Sequence, residues 1–188
     1  MKNTRCGLVH IYTGNGKGKT TAAFGLALRA LGCGLRVLCI QFLKGAAEES
    51  GEIKCLRNIK GIKFIRNKQV HPVFWNIGIR HDKKLYNKEL QKLRLRLTKS
   101  IKDAKRLIKS KRYDLVILDE IINTASSGLI DERLIAGLIR SKPKNTEIVL
   151  TGRGTAAKLI ELADYATVMR ELKHPYRRGI KARKGIEE

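Results

Sequence analysis

Residues 6–34 read CGLVHIYTGNGKGKTTAAFGLALRALGCG, and their order of parts decides the fold. CGLVHIY (6–12) is a short apolar run with the character of a buried strand. TGNGKGK (13–19) is rich in glycine, and the segment that follows carries Ala22, Ala23, Leu26, Ala27, Ala30 and Leu31 at helical spacing. Gly32 and Gly34 end that helix, as glycine does where a chain must leave a helix in a left-handed turn. A strand, a glycine loop and a helix in this order form an anion cradle. Glycines let backbone N–H groups turn inward, the helix N-terminus adds partial positive charge, and Lys19 neutralises phosphate oxygens.

Gly18-Lys19-Thr20 is the end of a P-loop, and the hydroxyl of Thr20 is placed to ligate Mg²⁺. In the usual G-x-x-x-x-G-K-[ST] pattern the first glycine stands five residues before Gly18, at Thr13. Here it is Gly14, so the loop is one residue short. An accidental glycine-rich turn is the alternative; the preceding strand, the following helix and the triad Gly14, Gly16 and Gly18 argue against it. The short loop predicts a triphosphate seated differently from that of an ordinary ATPase. About a hundred residues on, DLVILDE (114–120) is an apolar strand ending in Asp119 and Glu120. That is where a P-loop protein places its Mg²⁺-organising acid, although a polar strand end is common by itself.

The remaining chain alternates strands and helices. Strands are predicted at 36–43, 62–66, 147–151 and 166–171, and helices near 52–58, over 131–140 and over 155–163. One long amphipathic helix is predicted across 80–112, and the polar loop KGAAEESGE follows the second strand. Segment 67–80 has no clear period and holds the one tryptophan, Trp75; the tail from about 173 is polar and irregular. Alternating elements with continuously apolar strands predict a three-layer α/β fold, a mainly parallel sheet covered on both faces. No internal repeat or linker is visible, so residues 1–188 form a single domain.

Composition narrows the function classes. No apolar run approaches the roughly 18 residues of a membrane helix. Residues 1–5 lead straight into the first strand, without the apolar centre of a signal peptide. Cys6, Cys33, Cys39 and Cys55 lack C-x-x-C spacing and histidine neighbours, which speaks against zinc and fits free thiols in a reducing cytosol. The net charge is +23, and residues 80–112 hold fourteen Lys or Arg against Asp82, Glu89 and Asp103. In that window Tyr86, Leu90, Leu93, Leu97, Ile101, Ala104 and Ile108 recur every three or four positions, so the cations occupy the polar face of a helix. The first reading of that face is solvated surface. The second is a weak nucleic-acid surface, although no aromatic residues interleave to stack bases.

The chain resembles the P-loop family of ATP:corrinoid adenosyltransferases over nearly its whole length. The likeness lies in YTGNGKGKTTAAFG (12–25), QFLKG with SGE (41–52), YDLVILDEI (113–121), VLTGRG (149–154) and MRELKHPYRRGIKARKGIE (169–187). The resemblance implies transfer of the 5′-deoxyadenosyl group of ATP to Co(I) of a corrinoid, with release of triphosphate lying reversed in its loop. It also implies a RecA-like strand order. Gly14, Asn15, Gly16, Lys17, Gly18, Lys19, Thr20, Thr21 and Arg153 would then bind ATP, Asn15 touching ribose or phosphate. Lys19, Thr20 and Glu120 would serve catalysis, and Thr20, Asp119 and Glu120 would hold Mg²⁺ (or Mn²⁺).

The family's Phe-x-Trp arrangement against the lower axial face of cobalt maps onto Trp75. The phenylalanine position is Val73, with Phe74 adjacent, so Phe74 and Trp75 are the corrinoid candidates and ordinary core residues are the alternative. A flavoprotein or other reductant, a homodimer and a cytoplasmic setting are further implications. Some members carry an N-terminal extension over the site; with five residues before the first strand, that lid is expected to be absent or supplied otherwise. Two rival readings remain: a P-loop ATPase or small-molecule kinase, and a nucleic-acid-binding protein switched by ATP.

Overall fold

The apolar runs at 36–43 and 114–120 supply two neighbouring strands that are buried along their whole length. The computed structural model describes residues 6–45, 50–154 and 157–186. Expectations that fall on 1–5, on 46–49 of the polar loop, on 155–156 and on 187–188 lie outside the described residues. In chain order the strands are β1 (Val9–Thr13), β2 (Val37–Gln41), β3 (Ile62–Arg66), β4 (Leu115–Asp119), β5 (Glu147–Thr151) and β6 (Tyr165–Val168). They form one six-stranded sheet in the order β3-β2-β4-β5-β1-β6, and every paired neighbour is parallel. The order is RecA-like: β5 stands between the loop-bearing strand β1 and the acid-bearing strand β4.

The helices are α1 (Lys19–Gly32), α2 (Gly51–Leu56), α3 (Ile77–His81), α4 (Lys83–Lys109), α5 (Ile121–Ser126), α6 (Glu132–Arg140) and α7 (Ala157–Ile160). Alternation along the strands divides the core by face. Val37, Cys39, Leu115, Ile117 and Val149 meet Ala23, Phe24, Ala27 and Leu31 of α1 and Ile53 and Leu56 of α2. Leu38, Ile40, Val116, Leu118, Ile148 and Leu150 meet Leu93, Leu97, Ile101, Ala104 and Ile108 of α4, together with Ile135, Leu138 and Ile139 of α6. The buried alanines of α1, Ala23, Ala27 and Ala30, bring its backbone close to the sheet, which holds the preceding loop against β1. Burying one side chain such as Leu97 contributes roughly 1.5–3 kcal/mol.

Beyond shifted ends, such as β6 at Tyr165–Val168 for the expected 166–171 and α7 at Ala157–Ile160 for the expected 155–163, three details differ from the sequence expectation. The long basic helix is interrupted at Asp82, whose carboxylate accepts the Leu85 N–H at 3.0 Å and so caps a new start, leaving α3 as a separate turn. Helix α5 follows directly on β4; at six residues it is too short to leave a periodic signature. The tail is not wholly irregular, because Pro175–Arg178 makes a 3-10 turn capped by His174. Among the described residues, no helix is long and apolar enough to cross a membrane. Cys6, Cys33, Cys39 and Cys55 are all free thiols, and only Cys39 is buried.

Candidate functional site

Parallel strands deliver their C-terminal ends to one edge of the sheet, and the loops after β1, β2, β4, β5 and β6 converge there. The glycine loop after β1 is packed against the segment that leaves β6. Gly16 donates its N–H to the Met169 carbonyl at 2.7 Å. A methyl group on Gly16 would lie 2.7 Å from that carbonyl oxygen, and one on Gly14, whose φ is 98°, would lie 2.4 Å from it. Two of the loop glycines are therefore demanded by the close approach of tail backbone. Lys19 at the start of α1 reaches back over the loop, donating to the Gly14 and Gly16 carbonyls at 2.7 Å each. Burial lowers its pKa below the usual lysine value, the Arg153 charge adds to that, and Glu120 and Asp119 oppose it.

The acid pair is built by four elements. Asp119 is fully buried, and its Oδ1 accepts the Thr20 hydroxyl at 2.8 Å and the Thr151 hydroxyl at 2.7 Å. Its Oδ2 accepts Gln41 Nε2 at 3.0 Å, with Lys44 Nζ at 3.9 Å. Asp119 thus ties the ends of β2, β4 and β5 to the first turn of α1. Glu120 next to it is left-handed, with φ 64°, a strained conformation for a residue with a side chain. Its N–H donates to the Thr151 hydroxyl at 2.9 Å, its carboxylate accepts from Asn123 Nδ2, and Lys44 Nζ lies 3.6 Å away. The Arg153 N–H in turn donates to Asn123 Oδ1. These contacts aim the Glu120 carboxylate at the loop while Asp119 stays beneath it.

Above these groups is an open cavity of about 710 Å³, within the range of small-molecule sites. Asn15, Gly16, Lys17, Gly18, Lys19, Thr20, Thr21, Lys44, Glu120 and Arg153 line one side. The other wall is the tail, contributed by Glu171, His174, Tyr176, Lys181 and Ile186 among others. Lys17 Nζ donates to the Ile186 carbonyl at 3.0 Å, which ties the tail to the loop. Lys17, Lys19, Lys44, Arg153 and Lys181, with the N-terminus of α1, give this cavity a cationic lining of the kind that suits a polyanion.

Of the residues named from sequence, Asn15 to Thr21 of the loop, Arg153 and Glu120 line this cavity; Gly14 does not, being packed against Met169, and Asp119 is buried next to Glu120. Phe74 and Trp75 do not line the cavity. Trp75 is half-buried against the core, its Nε1–H donating to the Val70 carbonyl at 3.2 Å and its ring edge-on to Tyr86 at 5.4 Å. Phe74 is 77% exposed and Val73 56%, so these two side chains face outward beside the site. The segment still neighbours the acid pair. Lys44 and Val70 form a bridge, and His71, its pKa lowered by burial, feels the opposing charge of Glu120. Sequence reasoning missed Gln41, Lys44, Asn123 and Thr151. Gln41, Lys44 and Thr151 fall inside stretches quoted for the resemblance (41–52 and 149–154); Asn123, on the unforeseen α5, carried no signal.

A RecA-like parallel sheet, a glycine loop closing on Lys19 and a hydroxyl-bonded acid at the end of β4 define a P-loop protein. Residues 5–187 match the family described as ATP:corrinoid adenosyltransferase BtuR/CobO/CobP. The chain is 33% identical over 181 residues to a corrinoid adenosyltransferase of Pseudomonas aeruginosa, covering 96% of this chain and 83% of the relative. It is 35% identical over 188 residues to one of a Sinorhizobium species (99% and 82% covered) and 34% identical over 181 residues to one of Escherichia coli K12 (96% and 85%). The chain belongs to the ATP:corrinoid adenosyltransferase family, and is a transferase.

Proposed function

We propose that this protein transfers the 5′-deoxyadenosyl group of ATP to Co(I) of a corrinoid, releasing triphosphate. The cobalt–carbon bond forms at C5′ as the C5′–O bond breaks, and the electron pair of the broken bond leaves on the oxygen attached to the α-phosphorus. Triphosphate departs whole, and no proton needs to move. The developing charge falls on groups the chain already supplies: loop N–H donors, Lys19 and the N-terminus of α1. The observation that carries this reading is the union of loop and tail. A P-loop amide, Gly16 N–H, is bonded to tail backbone at 2.7 Å, so this donor is already engaged and does not face a phosphate. A reversed triphosphate, α-phosphate deepest, suits that arrangement.

The residues fit Mg²⁺. The Thr20 hydroxyl and the Glu120 carboxylate are hard oxygen donors beside the cavity, with Asp119 bonded to Thr20 at 2.8 Å. Among the described residues, no three His, Cys, Asp or Glu side chains gather as a ligand cluster. An ion here would complete its sphere with phosphate and water, the usual habit of Mg²⁺. When bound it would neutralise charge on the triphosphate. The protein's part is to hold Thr20 and Glu120 in place through Asp119, Thr151 and Asn123. Phe74 and Trp75 are assigned to the corrinoid side, a flavoprotein or other reductant to the supply of Co(I), and a cytoplasmic homodimer to the working form.

The test is incubation with ATP, Mg²⁺ and chemically reduced cob(I)alamin, following the corrinoid spectrum and assaying phosphorus products. Adenosylcobalamin and triphosphate in equal amounts are expected. ADP and phosphate formed without corrinoid would replace this reading with an ATPase or kinase.

A further inference from the structure

Helix α4 carries a second surface that the adenosyl-transfer reading leaves unused. Its buried side is the apolar stripe Leu93, Leu97, Ile101, Ala104 and Ile108, packed on the sheet. At 100° per residue, Lys84, Lys88, Lys92, Lys99, Lys102 and Arg106 fall within about 40° of the opposite direction. All six are exposed. They make one straight row running about 33 Å along the helix. Lys92 pairs with Glu89 at 2.6 Å and Arg106 with Asp103 at 3.1 Å. Lys84, Lys88, Lys99 and Lys102 have no carboxylate within ion-pair distance among the described residues. No residue of α4 lines the nucleotide cavity, so phosphate of the bound substrate does not account for the row.

We propose that this row is a docking surface for the phosphate backbone of a nucleic-acid duplex, engaged without regard to sequence. A linear set of cations over about 33 Å matches about one turn of duplex, which presents phosphates continuously along that length. Single strands are disfavoured because no aromatic side chain stands in the row to stack bases. A membrane surface is disfavoured because an interfacial helix needs an apolar face free to insert. Here that face is buried, and Leu95, 73% exposed, is the one large apolar side chain along the row. Lysine and arginine that touch phosphate position a protein on a duplex but read no bases.

The experiment titrates the full chain with fluorescently labelled DNA and RNA duplexes of about 20 base pairs, in two unrelated sequences, at salt concentrations from 50 to 200 mM. Vesicles with anionic phospholipid form a parallel arm. With six phosphates neutralised, the log–log salt slope should be about −5, a roughly 10³-fold loss of affinity across that range. The two sequences should bind alike. A variant carrying Lys84→Gln, Lys88→Gln, Lys99→Gln and Lys102→Gln should have a slope near −2 and lose only about tenfold across the same range, with corrinoid adenosylation unchanged. Binding of either duplex with this variant dependence supports the surface, and the two arms show which duplex it takes. The proposal is overturned by any of four results: no duplex binding, a slope the variant leaves intact, a strong preference for one sequence, or tighter variant-sensitive binding to the vesicles.

Discussion

Thr151→Val tests the claim that the acid pair is held by a buried hydroxyl. Valine keeps the shape of threonine, and position 151 is 1% exposed, so the change removes hydrogen bonds with little loss of packing. Two bonds go: Thr151 Oγ1 to Asp119 Oδ1 at 2.7 Å, and Glu120 N–H to Thr151 Oγ1 at 2.9 Å. A hydrogen bond to a charged group is worth about 1.5–3 kcal/mol, and leaving a buried amide without a partner costs about 1–3 kcal/mol. The expected loss is about 3–5 kcal/mol, a large share of the roughly 5–15 kcal/mol that holds a domain folded. For a chain of this size each kcal/mol moves the midpoint by about 2–4 °C, so Thr151→Val should melt at least about 6 °C lower. Glu120 should also leave its left-handed conformation, so triphosphate production should fall at least tenfold. Thr151→Ser retains the hydroxyl and should recover most of both. Calorimetry and the triphosphate assay measure the two effects. A Thr151→Val protein melting within about 2 °C of the parent would refute the reasoning.

Lys19→Ala should abolish triphosphate binding by calorimetric titration; parental affinity in that variant would remove the loop assignment. Burial lowers the Lys19 pKa in the folded protein, while a bound anion favours its charged form. Affinity should therefore be full below the folded pKa and decline as pH rises through it, with an onset below that of an ordinary lysine; a flat profile through the alkaline range would contradict this. Gly16→Ala places a methyl 2.7 Å from the Met169 carbonyl oxygen, so the tail must detach. ATP affinity should drop at least tenfold and the tail should become sensitive to limited proteolysis; an unchanged digestion pattern would sink the idea that loop and tail are one unit. Trp75→Ala should impair turnover from Co(II) plus reductant more than from preformed Co(I). Equal losses in both assays would take Trp75 off the corrinoid side and leave it as packing against Tyr86.

Local signals reached a good part of this structure. β3 and β5 fall at the predicted residues, because each is a five-residue apolar strand bounded by turn-forming neighbours. The loop residues announced themselves since phosphate cradling needs glycine, lysine and threonine at fixed spacing. The long helix was legible from its stripe of Leu93, Leu97, Ile101, Ala104 and Ile108, but its break at Asp82 rests on one capping hydrogen bond that periodicity does not register. Gln41, Thr151 and Asn123 were hidden for another reason. Gln41 and Thr151 act on Asp119 from far away in sequence, Asn123 joins nearby Glu120 to distant Arg153, and nothing local distinguishes a threonine that ends a strand from one that holds a carboxylate. Trp75 shows the converse: a distinctive residue whose place half-buried beside Tyr86 depends on a segment with no period of its own.

The placement of β1 has a consequence for how this molecule is made. Among the described strands β1 is made first, yet both of its partners in the sheet, β5 and β6, are encoded far downstream. The backbone that closes on Gly16 is some 150 residues later, at Met169. At about 5–20 residues per second, synthesis separates the two by roughly 8–30 s. During that interval β2, β3 and β4 already have one another, while the nascent glycine loop hangs from a strand with nothing to pair with. The loop-bearing edge is thus the last part of the sheet to be completed, and a chaperone that shields residues 6–20 would be guarding a glycine loop still waiting for the backbone that closes on it.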